Sequence, residues 1–182
     1  MTIEVKEKGT KAFYEEVVNV VAQYGRLRKR PDAKLKNYFV SLRNFAILLA
    51  VMTLIDAGIG VAWGFDGIVA AGVIVCAVML VFDVAFLINL GRLVDRYLAD
   101  ERASTVILDE NGVELDKEGT QTVRLAWPSI AFVRVFRESI CFISGDIQSF
   151  VIAVNIGHKK EILDYIKNSS IDVTVFDDIK KR

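Results

Sequence analysis

Two uninterrupted apolar runs, separated by only three residues, constrain this chain more than anything else in it. Phe45–Trp63 reads FAILLAVMTLIDAGIGVAW with Asp56 as its only charge, and Gly67–Leu90 reads GIVAAGVIVCAVMLVFDVAFLINL with Asp83 as its only charge. Each matches the ~20 helical residues that cross a hydrocarbon core ~30 Å thick. A buried helix of a globular fold rarely stays apolar on every side for this length. The first run holds nine Leu, Ile, Phe or Val residues and the second fourteen. Together these favour insertion by about −4 and −6 kcal/mol, against a penalty of ~2.5–3.5 kcal/mol for a central Asp. The expectation is a two-helix transmembrane hairpin over residues 45–63 and 67–90.

The link Gly64-Phe65-Asp66 carries no Lys or Arg. Arg26, Arg28, Lys29, Arg30, Lys34, Lys36 and Arg43 precede the first run, and Arg92, Arg96 and Arg102 follow the second. Basic flanks face the cytoplasm. Both termini and the carboxy-terminal domain are therefore expected there, on a multi-pass protein of the cell (inner) membrane. The first 44 residues are polar and hold no early apolar core, so no cleaved leader is expected. The seven basic residues from Arg26 to Arg43 are candidate contacts for anionic lipid headgroups, at ~1 kcal/mol per nearby charge. A plain topology signal explains them without any lipid specificity, and is the preferred reading.

Asp56 and Asp83 are candidate intramembrane polar positions, since an acid inside a span is a functional hypothesis by default. In a hairpin folded at residues 65–66, position 56 lies opposite about 75 and position 83 opposite about 48. The two carboxylates then sit at different depths and do not pair. The structural alternative is an acid facing the partner helix or a second copy. Gly60-x-x-x-Gly64, with Gly58 just before, offers a smooth surface for close packing.

The chain is 53% hydrophobic with a mean hydropathy of +0.37, yet 25% of it is charged, so the two characters must occupy separate blocks. Net charge is zero overall but +5 over residues 1–44, −3 over 45–103 and −2 over 104–182. A basic head without a basic folded face argues against nucleic acid. Cys76 and Cys141 form neither a disulfide framework nor a paired metal motif, and read as buried free thiols.

Before the runs, Thr2–Lys6 alternates like a short strand. Phe13, Val17, Val20, Val21 and Tyr24 follow at helical spacing, and Gly25 is placed to end that helix. This arm is expected to pack on the soluble domain rather than lie on the membrane. A juxtamembrane linker is expected over 91–103. After Ala103 the period falls to two. Thr105–Glu110, the Asn111-Gly112 turn and Val113–Asp116 form a hairpin, with a second turn at 117–120. Strands follow at Gln121–Trp127, Ala131–Arg137, Ile140–Ser144 and Phe150–Ile156, with a turn at Gly145-Asp146. A helix at His158–Lys167 and a last strand within Ile171–Phe176 complete the reading. The fold class expected is a membrane α-helical hairpin plus an α+β domain over 104–182. That domain is an antiparallel sheet or barrel of six to seven strands closed by a helix.

Two spans, an Asn-Gly hairpin, Trp127-Pro128-Ser129-Ile130, an aromatic strand and a late helix together resemble the YcxB-like family of bacterial membrane proteins. The likeness runs from about residue 35 to 168, with Trp127 and Ile130 as its structural marker. It implies a pleckstrin-homology-like (PH-like) soluble domain and no established activity. The chain departs from the family at Val154–Lys160, where many members carry a proline-and-basic stretch. A PH-type lipid site would want a basic first hairpin, and here it is Asp109-Glu110-Asn111-Gly112.

His158 is the single histidine, and no nucleophile triad, metal cluster or Gly-rich phosphate loop is present in the sequence. No catalytic residue, metal or cofactor is expected. The leading expectation is a non-catalytic scaffold on the cytoplasmic side, binding another protein or its own copies. An oligomeric transport or sensing unit using Asp56 and Asp83 is the second. An unrecognised envelope enzyme is the third.

Overall fold

A computed structural model describes residues 2–7, 9–64, 66–100, 104–117, 121–145, 150–169 and 171–179. In chain order the elements are β1 Ile3–Glu7, α1 Lys11–Ala22, α2 Tyr24–Lys29, α3 Tyr38–Trp63 and α4 Gly67–Ala99. Then come β2 Ser104–Asp109, β3 Gly112–Lys117, β4 Gln121–Ala126, β5 Ile130–Val135, β6 Ser139–Ser144, β7 Val151–Asn155, α5 Lys159–Asn168 and β8 Val175–Asp177. They form two compact units, Met1–Leu35 with Arg96–Arg182, and Lys36–Asp95.

The first unit holds two four-stranded sheets, β1-β2-β3-β4 and β7-β6-β5-β8, which do not close into a barrel. The first sheet is antiparallel throughout, and β1 adds to it with Val5 opposite Val106. The amino-terminal arm is thus part of the folded unit. In the second sheet β8 runs parallel to β5, because the return through α5 brings the tail back in the same direction. The wholly antiparallel meander expected from sequence is corrected at that strand.

The β2–β3 turn is held by Asp109, whose Oδ1 accepts from the N–H groups of Asn111 (2.8 Å) and Gly112 (3.0 Å). A Cβ at Gly112 would collide with the Leu125 carbonyl of β4, so only glycine fits. Trp127 opens a short 3-10 turn that carries the chain from one sheet to the other. Its indole N–H donates to the Asp109 carbonyl at 2.8 Å, and its ring meets Phe142 edge-on. The marker residues Trp127 and Ile130 therefore sit at the inter-sheet corner, with Ile130 buried.

β5 and β6 are buried on both faces. Val133, Val135, Ile140 and Phe142 face the inter-sheet core, which Ile162, Tyr165 and Ile166 of α5 complete. Phe132, Phe136, Cys141 and Ile143 pack instead with Val20, Tyr24 and Leu27 of the amino-terminal helices. The expected single helix ending at Gly25 is corrected. It breaks at Gln23 (φ −106°, ψ 10°), and α2 runs through Gly25. That break directs Tyr24 and Leu27 onto the sheet, where the Tyr24 hydroxyl donates to the Ser144 carbonyl at 2.7 Å.

The second unit is the helical hairpin. Both helices are long and apolar enough to cross a membrane. Asn37 caps α3 and Asp66 caps α4 through side-chain oxygens that accept backbone N–H groups. Gly64 ends α3 with φ +97°. α3 starts at Tyr38 and α4 runs to Ala99, so both helices exceed the apolar runs. Good helix formers such as Leu and Arg let the helix continue past the point where apolarity ends. Much of the expected linker 91–103 is thereby helical. Phe65, residues 118–120, Asp146 and Arg102, on which turn or charge expectations fell, lie outside the described residues.

Candidate functional site

A cavity of about 300 Å³ opens in the first unit. It exists because the two sheets separate here instead of closing. Leu115 of β3 and Val123 of β4 line it from the first sheet, and Ile152 and Val154 of β7 from the second. α1 contributes Phe13 and Val17. Its volume is at the lower edge of the ~300–1,000 Å³ usual for small-molecule sites, and an apolar interior with few polar groups is the usual lining.

Of the polar lining residues, Asp100, Ser104 and Lys117 stand together, and Asn155 comes from β7. Ser104 and Lys117 are register partners across β2 and β3, and Lys117 Nζ lies 2.6 Å from the Asp100 carboxylate. Both side chains stay 29% exposed, so the pair keeps contact with water. Lys117 also sits 5.7 Å above the Tyr97 ring, which stacks on Tyr14 at 5.6 Å and 12°. Tyr97 lies in the last turn of α4, and Asp100 follows it. The cavity therefore has a largely apolar interior and an end lined by aromatic rings and the Lys117–Asp100 ion pair.

Two other polar clusters hold the fold together. Glu16 of α1 accepts from Ser139 Oγ (2.6 Å) and the Glu138 N–H (3.0 Å), fastening the helix to the β5–β6 turn. Burial pushes its carboxyl above the ordinary range, outweighing those hydrogen bonds. Arg134 is fully buried, its Nη2 is 2.7 Å from Asp178 Oδ2, and its Nη1 donates to the Pro31 carbonyl at 2.7 Å. The guanidinium also covers the Phe136 ring at 4.9 Å. Burial pushes the Cys141 thiol up to about 12, so it stays protonated and inert. At Asp109, desolvation is outweighed by hydrogen bonds from Asn111 and Gly112 and by Arg124, which together hold the carboxyl below its usual range.

The sequence-predicted positions divide differently. Arg26, Arg28 and Lys29 are exposed on α2, Arg30 and Lys34 in the loop after it, and Lys36 and Arg43 at the start of the second unit. Arg26 bonds Gln23 Oε1 (3.1 Å) and the Lys34 carbonyl (3.2 Å), so one of the seven also braces the loop. Asp56 faces α4, with its Oδ2 3.4 Å from where a Gly72 Cβ would be. Gly72 is thus one point of close approach, and Gly60 is also buried. At Gly58 and Gly64 an added Cβ would meet nothing within 4 Å. Asp83 is buried, and its Oδ2 has no hydrogen-bond partner among the described residues. The structure brings neither acid to the other. His158 faces Glu161 at 3.3 Å on the surface of α5. Among the described residues no three metal-ligating side chains cluster.

Sequence reasoning missed Glu16, Arg134 and the Tyr97–Asp100–Lys117 group. Only Arg134 left a signal, a lone cation inside the apolar strand IAFVRVF. Glu16 meets Ser139, 123 positions away, and Tyr97, Asp100 and Lys117, which lie within 20 positions of one another, leave no periodic pattern to mark them.

No family model matches this chain, and no curated protein matches it. One chain of the solved Spt16D–Pob3N heterodimer is similar over 43% of this chain and 48% of that one, at 15% identity and a TM-score of 0.32. The match thus spans about half of that chain's length, and so low a score carries no argument about fold or partner.

Proposed function

We propose that this chain is a membrane-anchored, non-catalytic PH-like module that binds another protein or further copies of itself. The observation that carries the anchoring is the bare apolar surface of the hairpin. Leu54, Val61, Ile68 and Phe82 are each more than 70% exposed. Such a surface in water is far beyond what a soluble domain leaves uncovered. Basic flanks at Arg43, Arg92 and Arg96 and a tip without Lys or Arg support an inner-membrane topology with both termini cytoplasmic. The order of strands β2 to β7 followed by α5, and the likeness to the YcxB-like family, support the PH-like reading.

β4 is an edge strand of the first sheet, with Thr122 and Ala126 exposed along it. Its free backbone groups offer strand addition as the binding mode. Membrane flotation of the full-length protein, followed by photo-crosslinking in cells from position 122, tests both halves. Flotation with liposomes and a discrete adduct are expected. Recovery of the uncrosslinked chain alone would overturn the interaction, and a protein that stays soluble would overturn the anchoring.

The unpartnered Asp83 Oδ2 favours a second reading, an oligomeric transport or sensing unit working through Asp83 and Asp56. Ion flux in vesicles carrying the protein should then fall sharply in the double variant Asp56→Asn/Asp83→Asn. Unchanged flux removes this reading.

A further inference from the structure

We infer that the cavity between the two sheets binds a single alkyl chain ending in an anionic group, such as a free fatty acid, with Lys117 holding the headgroup. The interior residues Val17, Leu115, Val123 and Ile152 present only carbon to an occupant. Each methylene transferred there from water is favourable by ~0.8 kcal/mol. Among the described residues that line the cavity the single cation is Lys117, and it lies where Tyr97 and Asp100 stand. An apolar body with a charged tip matches that layout; a polar or compact ligand does not.

Asp100 now occupies Lys117, and its position explains why it can yield. It directly follows α4, its N–H donating to the Arg96 carbonyl at 3.1 Å. A negative charge at a helix carboxy-terminus opposes the helix dipole. The Asp100 carboxylate is also part exposed, so water can take it up when a ligand carboxylate replaces it. The exchange swaps one anion for another and leaves no buried charge unpaired.

Supply follows from the chain's own connectivity. Tyr97 is seven residues beyond Leu90, the end of the second apolar run. A domain tethered so closely to a bilayer meets single-chain amphiphiles there. Only this source of ligand rests on the membrane-anchored reading; the site itself does not.

The test uses the full-length chain, in lipid nanodiscs if it floats with liposomes and in buffer if it does not. A photoactivatable palmitate analogue is crosslinked and the adducts are mapped by mass spectrometry. Adducts are expected on peptides containing Val17, Leu115 and Val123. They should fall at least ~tenfold in Val17→Trp and in Val123→Trp, each of which fills the cavity from a different element. Near-UV circular dichroism identifies whichever variant keeps its fold. Lys117→Gln should weaken competition by palmitate roughly tenfold, the loss of one charged hydrogen bond, and leave competition by palmityl alcohol unchanged. Adducts confined to residues 38–99, or equal labelling in a folded Trp variant, would overturn the site. Cavity labelling of a protein that does not float would retain the site and remove the anchoring.

Discussion

Arg134 shows how much one side chain can be asked to hold. Its charge is wholly buried, while its partner Asp178 keeps 31% of its side chain in water. Removing the carboxylate leaves a buried cation with the Pro31 carbonyl and the Phe136 ring but no counter-charge, whereas removing the arginine leaves an acid that water can reach. Asp178→Ala is therefore expected to destabilise by ~3–5 kcal/mol and Arg134→Met by less, measured as urea midpoints in one detergent. At Gly112 the constraint is steric. Gly112→Ala drives a methyl group into the Leu125 carbonyl and should cost ~1–3 kcal/mol, with strands β3 and β4 forced apart. Cys141, protonated and enclosed, should resist N-ethylmaleimide at neutral pH in the folded protein and react once urea unfolds the domain.

At the scale of elements, α1 is both a cover for the second sheet and a wall of the cavity. Its fastening titrates. Because burial raises the folded-state pKa of Glu16, the native protein holds that proton longer than the unfolded chain does. Stability from this group is full below the ordinary glutamate value and is lost as pH rises through the higher folded value. Urea midpoints should therefore decline across the interval just above about pH 4, and Glu16→Gln should flatten that slope while keeping an acceptor for Ser139. Within the hairpin, Asp56 packs against Gly72. Gly72→Leu should separate the helices there, seen as a longer distance between spin labels placed on α3 and α4. A Gly58→Leu control should leave that distance unchanged, since nothing lies within 4 Å of an added Cβ.

For the whole molecule, the hairpin interrupts a domain instead of preceding one. The amino-terminal arm supplies a sheet strand and the helices over β5 and β6, although the apolar runs separate it in sequence from the strands it packs on. Ile3, Val5, Val18, Val20 and Leu27 are all buried. At ~1.5–3 kcal/mol each they contribute about 8–15 kcal/mol of burial, as large as the net stability of a typical domain. A fragment of residues 104–182 should fail to give a cooperative unfolding transition by circular dichroism, and adding residues 1–35 through a short linker should restore it. The sequence determined the two apolar helices, the β2–β3 turn and nearly every strand, because helical and strand periods are local and an Asn-Gly turn is set by its own backbone. IAFVRV and SICFIS also lack the alternation of a one-sided strand, as befits strands buried on both faces. Only the tertiary structure decided what covers their second face, which strand the tail joins, and that the two sheets part to leave a cavity. Those depend on contacts between segments up to about 120 residues apart, whose complementarity is a property of the folded pair and not of either segment alone.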